Sequence, residues 1–459
     1  MTPTSFASLG LPASLLTTLD SLNFQQMTPI QAQSLPAILA GRDLIAQAQT
    51  GSGKTAAFAL GLLAQLDVKR FRVQSLILCP TRELADQVAT DIRTLARNIH
   101  NIKVLTLCGG VPARSQIISL EHGAHIIVGT PGRVLDHLEQ QRLDLSELKN
   151  LVLDEADRML EMGFSNALTA IISNTPAQRQ TLLFSATYPK DIQQLASTIL
   201  TEPLSVQLAS IHNEQSIQQQ FFQLEAGSSR PAAVSGILLH FQPTSCVVFC
   251  NTKRETQELY QQLQQQGFSV LALHGDLEQK DRDLTLLQFA NNSACVLVAT
   301  DVAARGLDIE KLDLVVNYQL AHDVDTHVHR IGRTGRAGSQ GMAISLVGEQ
   351  DGFKLGLIED HFGSRFEAMP LPAANGQQRP ARPSMVTLQI EAGKKQKLRP
   401  ADIVGALTRD NALEFAQIGK IQLQENRAFV AVAEAVAKKA LQQLQAGPIK
   451  GRQFRVYRL

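Results

Sequence analysis

The sequence predicts two α/β domains in tandem, each built on a parallel sheet, followed by a small α+β module of βαββαβ order. Three observations carry this expectation. Short apolar runs rich in β-branched residues alternate with helix-length segments through the first 350 residues. The runs fall into two sets, parted by polar, Gln-rich sequence near residues 209–220. A Pro-rich stretch then precedes a basic tail with strand and helix spacings of its own. A chain of 459 residues also exceeds the roughly 250–300 at which one hydrophobic core stops growing.

The first set comprises Ser75–Cys79, Val104–Leu107, His125–Val128, Leu151–Leu153 and Thr181–Phe184. The second comprises Ser245–Cys250, Val270–Leu273, Cys295–Ala299, Leu314–Asn317 and Gly341–Leu346. Pro370, Pro372, Asn375, Gly376, Gln377, Gln378, Pro380 and Pro383 read as a linker. Beyond it, Met385–Ile390, Pro400–Leu407, Ile418–Leu423 with Ala428–Val432, Glu434–Leu444 and Gln453–Arg458 supply the βαββαβ pattern, an RNA-recognition-like layout. The expected divisions are 1–208, 209–362, a linker at 363–383, and 384–459.

Composition, with 44% hydrophobic and 19% charged residues, fits a globular protein rather than a disordered or fibrous one. Met1–Gly10 lacks a basic region leading into an apolar core, and no window approaches the roughly 20 apolar residues that span a bilayer. A cytoplasmic protein without a membrane partner is expected. The five cysteines (Cys79, Cys108, Cys246, Cys250, Cys295) lie mostly in strand-like runs and read as buried free thiols. Cys246 and Cys250 approach a metal spacing, but the Val247-Val248-Phe249 between them reads as buried strand, so no metal cage is expected. Charge is uneven: Met385–Leu459 holds 13 Lys+Arg against 6 Asp+Glu, which leaves 30 against 36 for the first 384 residues. A basic module that meets phosphates is implied, a solvated basic face being the alternative.

Phosphate chemistry is signalled by Ala48-Gln49-Thr50-Gly51-Ser52-Gly53-Lys54-Thr55, between the apolar Asp43-Leu44-Ile45-Ala46 and the helical Ala56–Leu60. Glycines let successive N–H groups and a helix N-terminus face a phosphate; Lys54 can reach the β/γ-phosphates and the Thr55 hydroxyl can ligate Mg²⁺. Ala48 stands where the strict pattern has its first glycine. Asp154-Glu155-Ala156-Asp157 follows Leu151-Val152-Leu153, placing carboxylates at the end of a buried strand. There Asp154 can hold Mg²⁺ and Glu155 can orient or deprotonate an attacking water, which together with the loop points to nucleotide hydrolysis. His329-Arg330-Ile331-Gly332-Arg333-Thr334-Gly335-Arg336 places two arginines, Arg333 and Arg336, three residues apart in a Gly-rich segment, an anion clamp.

In this order the motifs resemble those of DEAD-box RNA helicases from Phe6 to about Leu346. The resemblance implies two tandem RecA-like P-loop domains plus a small C-terminal α+β RNA-recognition-like domain. It also implies ATP and Mg²⁺, with Phe6, Thr28 and Gln31 reading adenine, although Met27 replaces the usual proline and Asn23 the usual glycine. Gln49, Thr50, Gly51, Ser52, Gly53, Lys54, Thr55, Gly306 and Asp308 would bind nucleotide, Asp308 through the ribose. Asp157, Ser185, Thr187 and His329 would couple hydrolysis to strand separation. RNA-binding positions would be Pro80, Thr81, Arg82, Gly110, Thr130, Pro131, Gly132, Arg133, Gln279, Arg282 and Thr300. Val248–Thr252, Gln279 with Arg282, and Ala299-Thr300-Asp301 resemble RNA and interdomain contact motifs.

The tail resembles the C-terminal domain of DbpA-type helicases, which implies anchoring to a 23S rRNA hairpin in the large ribosomal subunit precursor, by a monomer. Aromatic stacking positions are sparse, with Phe429, Phe454 and Tyr457 available, so basic loops carrying Lys394, Lys395, Lys397, Lys450, Arg452 and Arg455 are the expected RNA surface. No loop reads a 2′-hydroxyl by itself, and an ATP-gated RNA clamp, a non-unwinding assembly factor and a DNA helicase stay open as alternatives.

Overall fold

The computed structural model describes residues 5–48, 52–207, 217–225, 227–304, 312–335, 341–372 and 378–459. Gln49, Thr50, Gly51, Gly306, Asp308 and Arg336 lie outside them.

The first unit holds seven strands, β1 (Leu44–Gln47), β2 (Ser75–Leu78), β3 (Val104–Leu107), β4 (Ile126–Gly129), β5 (Asn150–Leu153), β6 (Gln180–Ser185) and β7 (Leu204–Gln207). They form one parallel sheet in the order β3-β4-β2-β5-β6-β1-β7. Apolar runs such as Ser75–Leu78, Ile126–Gly129 and Asn150–Leu153 are buried along their whole length because helices cover both faces of a parallel sheet. The flanking β3 and β7 are more open to solvent, as sheet edges are. Two apolar clusters result, one including Phe58, Phe184, Leu35 and Val88, the other Leu76, Leu153, Met159 and Leu168.

The second unit repeats the plan. Its strands are β8 (Ile217–Gln223), β9 (Cys246–Cys250), β10 (Val270–Leu273), β11 (Val296–Thr300), β12 (Leu314–Asn317), β13 (Gly341–Val347) and β14 (Ala368–Pro370). Their order, β10-β11-β9-β12-β13-β8-β14, is that of the first sheet strand for strand, and the pairing is again parallel. All five cysteines are buried and free.

Two expectations need correction. The Gln-rich separator includes a strand: Ile217–Gln223 pairs along its full length with β13. Its glutamines concealed a half-buried strand in which only Phe221 and Phe222 are fully covered. The Pro-rich stretch is likewise not wholly irregular, since Ala368–Pro370 pairs with β8 at a sheet edge, where a proline costs no interior hydrogen bond.

The same unit carries a four-stranded antiparallel sheet of β15 (Met385–Ile390), β16 (Ile418–Leu423), β17 (Ala428–Ala433) and β18 (Val456–Arg458), in the order β16-β17-β15-β18. Val386, Leu388, Ile390, Val430, Val432 and Val456 pack with Ile403, Leu407, Ala440 and Leu444 of helices Pro400–Thr408 and Ala437–Ala446. The opposite face is also covered. Thr387 is fully buried; its Oγ1 accepts from Asn291 Nδ2 at 3.1 Å and lies 2.7 Å from Ser293 Oγ. Met385 N donates to Asn292 O at 3.3 Å, and Gln242 Nε2 to Arg379 O at 3.0 Å. The small sheet is therefore docked against the loop that precedes β11.

Candidate active site

Because every strand of the first sheet is parallel, all carboxyl ends open on one edge, the usual place for ligands in α/β sheets. The order β5-β6-β1 brings together the segments after those strands: Asp154-Glu155, Ser185-Ala186-Thr187 and the loop that enters helix Lys54–Ala64. Gly53 sits at φ 95°, and a Cβ there would come within 2.6 Å of Gln31 Nε2 and 2.9 Å of Thr28 Oγ1. Only glycine allows that approach. Gln31 joins the two segments: its Oε1 accepts from Thr28 N at 2.9 Å, and its Nε2 donates to Gly53 O at 3.2 Å.

Among the described residues, three buried polar atoms at this edge lack a protein partner: Lys54 Nζ, Asp154 Oδ1 and Thr28 Oγ1. Burial pushes the Asp154 carboxyl up to about 6; the Lys54 charge opposes the rise and Glu155 adds to it. Buried charged groups are normally paired. An ammonium and a carboxylate oxygen without partners, beside a glycine cradle at a helix N-terminus, suit a polyphosphate with its divalent cation. Glu155 has a left-handed backbone (φ 52°, ψ 53°), a conformation costing a non-glycine residue roughly 1 kcal/mol. Strain of this sort clusters at functional sites.

Asp157 is tied to the end of β6 and the segment that follows it. Its Oδ2 accepts from Thr187 N and Thr187 Oγ1, both at 2.9 Å, and its backbone N donates to Ser185 Oγ at 3.4 Å. The acidic segment and Ser185–Thr187 are thus one hydrogen-bonded unit, so a shift in either is felt by the other.

The neighbouring order β3-β4-β2 gathers a second group of loops along the same edge. Thr81 caps helix Arg82–Leu95, its Oγ1 accepting from Leu84 N at 3.3 Å; Thr130 precedes helix Pro131–Glu139. Gln116, buried and absent from the expectations above, ties the segment after β3 to the helix after β4. Its Nε2 donates to Cys108 O (2.9 Å), while its Oε1 accepts from Arg133 Nη1 (3.0 Å) and faces His137 Nε2 (2.9 Å). An amide oxygen only accepts, so His137 carries its proton on Nε2. Burial lowers the His137 pKa, which favours this neutral form. A lone glutamine within a helix gives no motif by which sequence could reveal it.

In the second sheet the same half, β10-β11-β9, leads to Gln279 and Arg282 on helix Gln279–Ala290, to Thr300-Asp301, and to Asn251-Thr252. Gln279 Nε2 donates to Asp283 Oδ1 at 2.9 Å, and Thr300 is buried. Helix Val324–Ile331 carries His329, and Arg333 follows it, 8% exposed.

In the small module the basic residues stand on shaped loops. Lys394 N and Lys395 N donate to Gln424 O and Glu425 O, both at 2.9 Å, and a Cβ on Gly393 would lie 2.2 Å from Gln424 O. Lys450 and Gly451 (φ 52° and 75°) are the centre of a tight turn closed between Ile449 and Arg452, and Lys450 Nζ reaches Lys397 O at 2.5 Å. Lys394, Lys395, Lys397, Lys450 and Arg452 are all exposed. Phe429 and Gln389, on the sheet face shared with Thr387, are buried, leaving little of that face for stacking bases.

Residues 28–195 match the DEAD/DEAH box helicase family, 229–338 the helicase conserved C-terminal domain, and 387–458 the DbpA RNA binding domain. The chain is 52% identical over 454 residues to the ATP-dependent RNA helicase DbpA of Escherichia coli, covering 99% of each. It is 35% identical to the ATP-dependent RNA helicase DbpA of Bacillus subtilis, covering 98% of each. The chain belongs to the DEAD-box ATP-dependent RNA helicases. It is of the DbpA type, with an RNA-binding domain after the two RecA-like domains. Among solved structures it resembles S. cerevisiae Dbp5 bound to RNA and ADP BeF3, at 34% identity and a TM-score of 0.73, over 80% of this chain and 96% of that one.

As a DEAD-box helicase the protein hydrolyses ATP in dependence on RNA, and two departures from the family motif find local explanations. Asn23, where the family has glycine, adopts φ 58°, a conformation asparagine tolerates better than most residues. Met27, in place of proline, is buried in the core beside Ile30. Phe6 is only 4% exposed, packed with the same core, so the surface it offers a base is small.

Proposed function

We propose that this DEAD-box helicase uses ATP to open short duplexes in 23S ribosomal RNA during large-subunit assembly, as a cytoplasmic monomer held on its substrate hairpin by residues 384–459. The observation that carries the catalytic half is a pair of buried groups without a partner among the described residues, Lys54 Nζ and Asp154 Oδ1, at the carboxyl-end edge of the first sheet. Lys54 would bind the β/γ-phosphates, with Ser52, Gly53 and the adjoining Gln49, Thr50 and Gly51 supplying backbone donors. Thr55 and Asp154 would hold Mg²⁺, which neutralises phosphate charge when bound. Glu155 would orient the attacking water, and Arg333 and Arg336 would compensate charge on the transferring phosphoryl group. Thr28 and Gln31 would read adenine with Phe6 beside them, and Gly306 and Asp308 would bind the nucleotide, Asp308 through the ribose. Asp157, Ser185, Thr187 and His329 would relay hydrolysis to the loops of Pro80, Thr81, Arg82, Gly110, Thr130–Arg133, Gln279, Arg282 and Thr300, which would hold RNA backbone.

No described helix is long and apolar enough to cross a membrane. The ribosomal target is supported by the match to the DbpA RNA binding domain and by the exposed lysines of the small module. A strand-displacement assay on a short duplex joined to a 23S rRNA hairpin tests the reading. Faster displacement than on the same duplex without the hairpin is expected. ATP-locked binding without displacement would make the protein a clamp instead.

A further inference from the structure

The small sheet has one face whose centre is closed and whose flank is open. Its pairing sets Gln422 opposite Phe429, Phe429 opposite Gln389, and Gln389 opposite Tyr457, so these four side chains form one row across β16, β17, β15 and β18. Residues opposite each other in a sheet share a face. Val386, Leu388 and Ile390 fill the core on the other side, which places the row on the face of Thr387. Its two central members are covered, Phe429 at 3% exposure and Gln389 at 9%, whereas Tyr457 on the edge strand is 45% exposed.

The next row along supplies charge. Glu391 follows β15; its N donates to Arg455 O at 2.9 Å, and its Oε1 accepts from Gln389 Nε2 at 2.5 Å and lies 3.6 Å from Arg427 Nε. Arg427, Glu391 and Arg455 thus stand side by side, two cations to one acid, and both arginines are exposed. Arg455 precedes Tyr457 by two residues, so strand alternation puts both on one face, roughly 7 Å apart along the chain. That spacing suits one nucleotide, its base laid on the ring and its phosphate within reach of the guanidinium fork. Lysines on loops meet phosphate in duplex and single strand alike. A ring discriminates, because a base inside a duplex has its faces already stacked on its neighbours.

We propose that Tyr457 and Arg455 form a mononucleotide site on the open flank of the small sheet, the ring stacking on one unpaired RNA base and the guanidinium pairing with its phosphate. The proposal rests on the reading that the small module holds RNA. It gives a surface whose lysines meet phosphate alone a means of selecting unpaired RNA.

The test is binding of the full chain to a labelled 23S rRNA hairpin fragment with flanking single strands, by fluorescence anisotropy across a salt series, repeated with each unpaired nucleotide in turn made abasic. For the wild type, one abasic position is expected to weaken binding about tenfold. Tyr457→Ala is expected to weaken binding to the intact fragment about tenfold, with no further loss at that same position, since a base without its platform contributes nothing. Tyr457→Phe, which keeps the ring, should bind as the wild type does. Arg455→Gln is expected to make the slope of log affinity against log salt shallower by about 0.7 to 0.9, one phosphate contact, while Tyr457→Ala leaves the slope unchanged. Thermal melting gives the folded fraction of each variant; if Tyr457→Ala does not fold, Tyr457→Leu, which keeps apolar cover without a stacking face, is read in its place. Wild-type affinity in the Tyr457 variant, or a loss that simply adds to that of every abasic position, would overturn the proposal. A wild type that prefers the fragment no more than an unrelated single strand of equal length would overturn the ribosomal reading instead, and the same variants on that single strand then decide the proposal.

Discussion

At Asp154, the cation-binding role proposed above and the stability of the ligand-free protein pull in opposite directions. In the unfolded chain this carboxyl titrates near 3.8, and in the folded one near 6 because burial disfavours the charge. The fold keeps a proton that the unfolded chain has lost between these values. The stability this group contributes is therefore present at low pH, is lost as pH rises from about 4 to about 6, and stays lost above that. Asp154→Asn removes the penalty. Ligand-free melting should show a gain of roughly 2 to 3 kcal/mol near pH 8 and little change near pH 4, while hydrolysis is abolished. The same protonation predicts that kcat/KM of the wild-type ATPase, which reports the ligand-free enzyme, falls as pH drops through about 6, since a protonated Asp154 cannot serve a cation. Glu155→Gln should retain ATP and RNA binding and lower turnover by about 10²- to 10⁴-fold, measured by single-turnover hydrolysis; an unaltered rate would remove Glu155 from the proposed role.

At the scale of elements, Thr387 fastens the small module. Placing a charge there strands Asn291 and Ser293 in a buried interface, so Thr387→Glu should release the sheet from the loop before β11 without unfolding it. Limited proteolysis should then cut the segment around residues 371–383 faster than in the wild type, and equal rates would argue against docking through Thr387. Much of this architecture is legible in the sequence. Runs such as Val247–Phe249 or Leu151–Leu153 are continuous and apolar because parallel strands are buried on both faces, and Asp154 and Lys54 stand in recognisable motifs at the ends of such strands. Other elements are hidden for physical reasons. β8 reads as Ile-Gln-Gln-Gln-Phe-Phe-Gln because much of it is only half-buried, and β14 has three residues, too few for a period. Gln116 and Thr387 act through partners up to 21 and 96 residues away in sequence, separations that no local pattern encodes.

For the whole molecule, the uneven charge and the duplicated sheet describe a division of labour. Two α/β domains of one strand order present the loops proposed above for hydrolysis and for RNA, and the basic module adds lysines on separate, hydrogen-bonded turns. Contacts to phosphate release counterions, so the module's share of binding should be the more salt-sensitive one, with affinity falling by orders of magnitude over a roughly fourfold rise in salt. The most direct measurement compares ATPase stimulation by a 23S rRNA hairpin fragment and by an unrelated RNA of equal length, for the full chain and for a chain lacking residues 380–459. The full chain should respond at far lower concentrations of the hairpin, and the truncated chain should respond weakly and equally to both. A truncated chain that still prefers the hairpin would contradict the claim that the basic module selects the substrate.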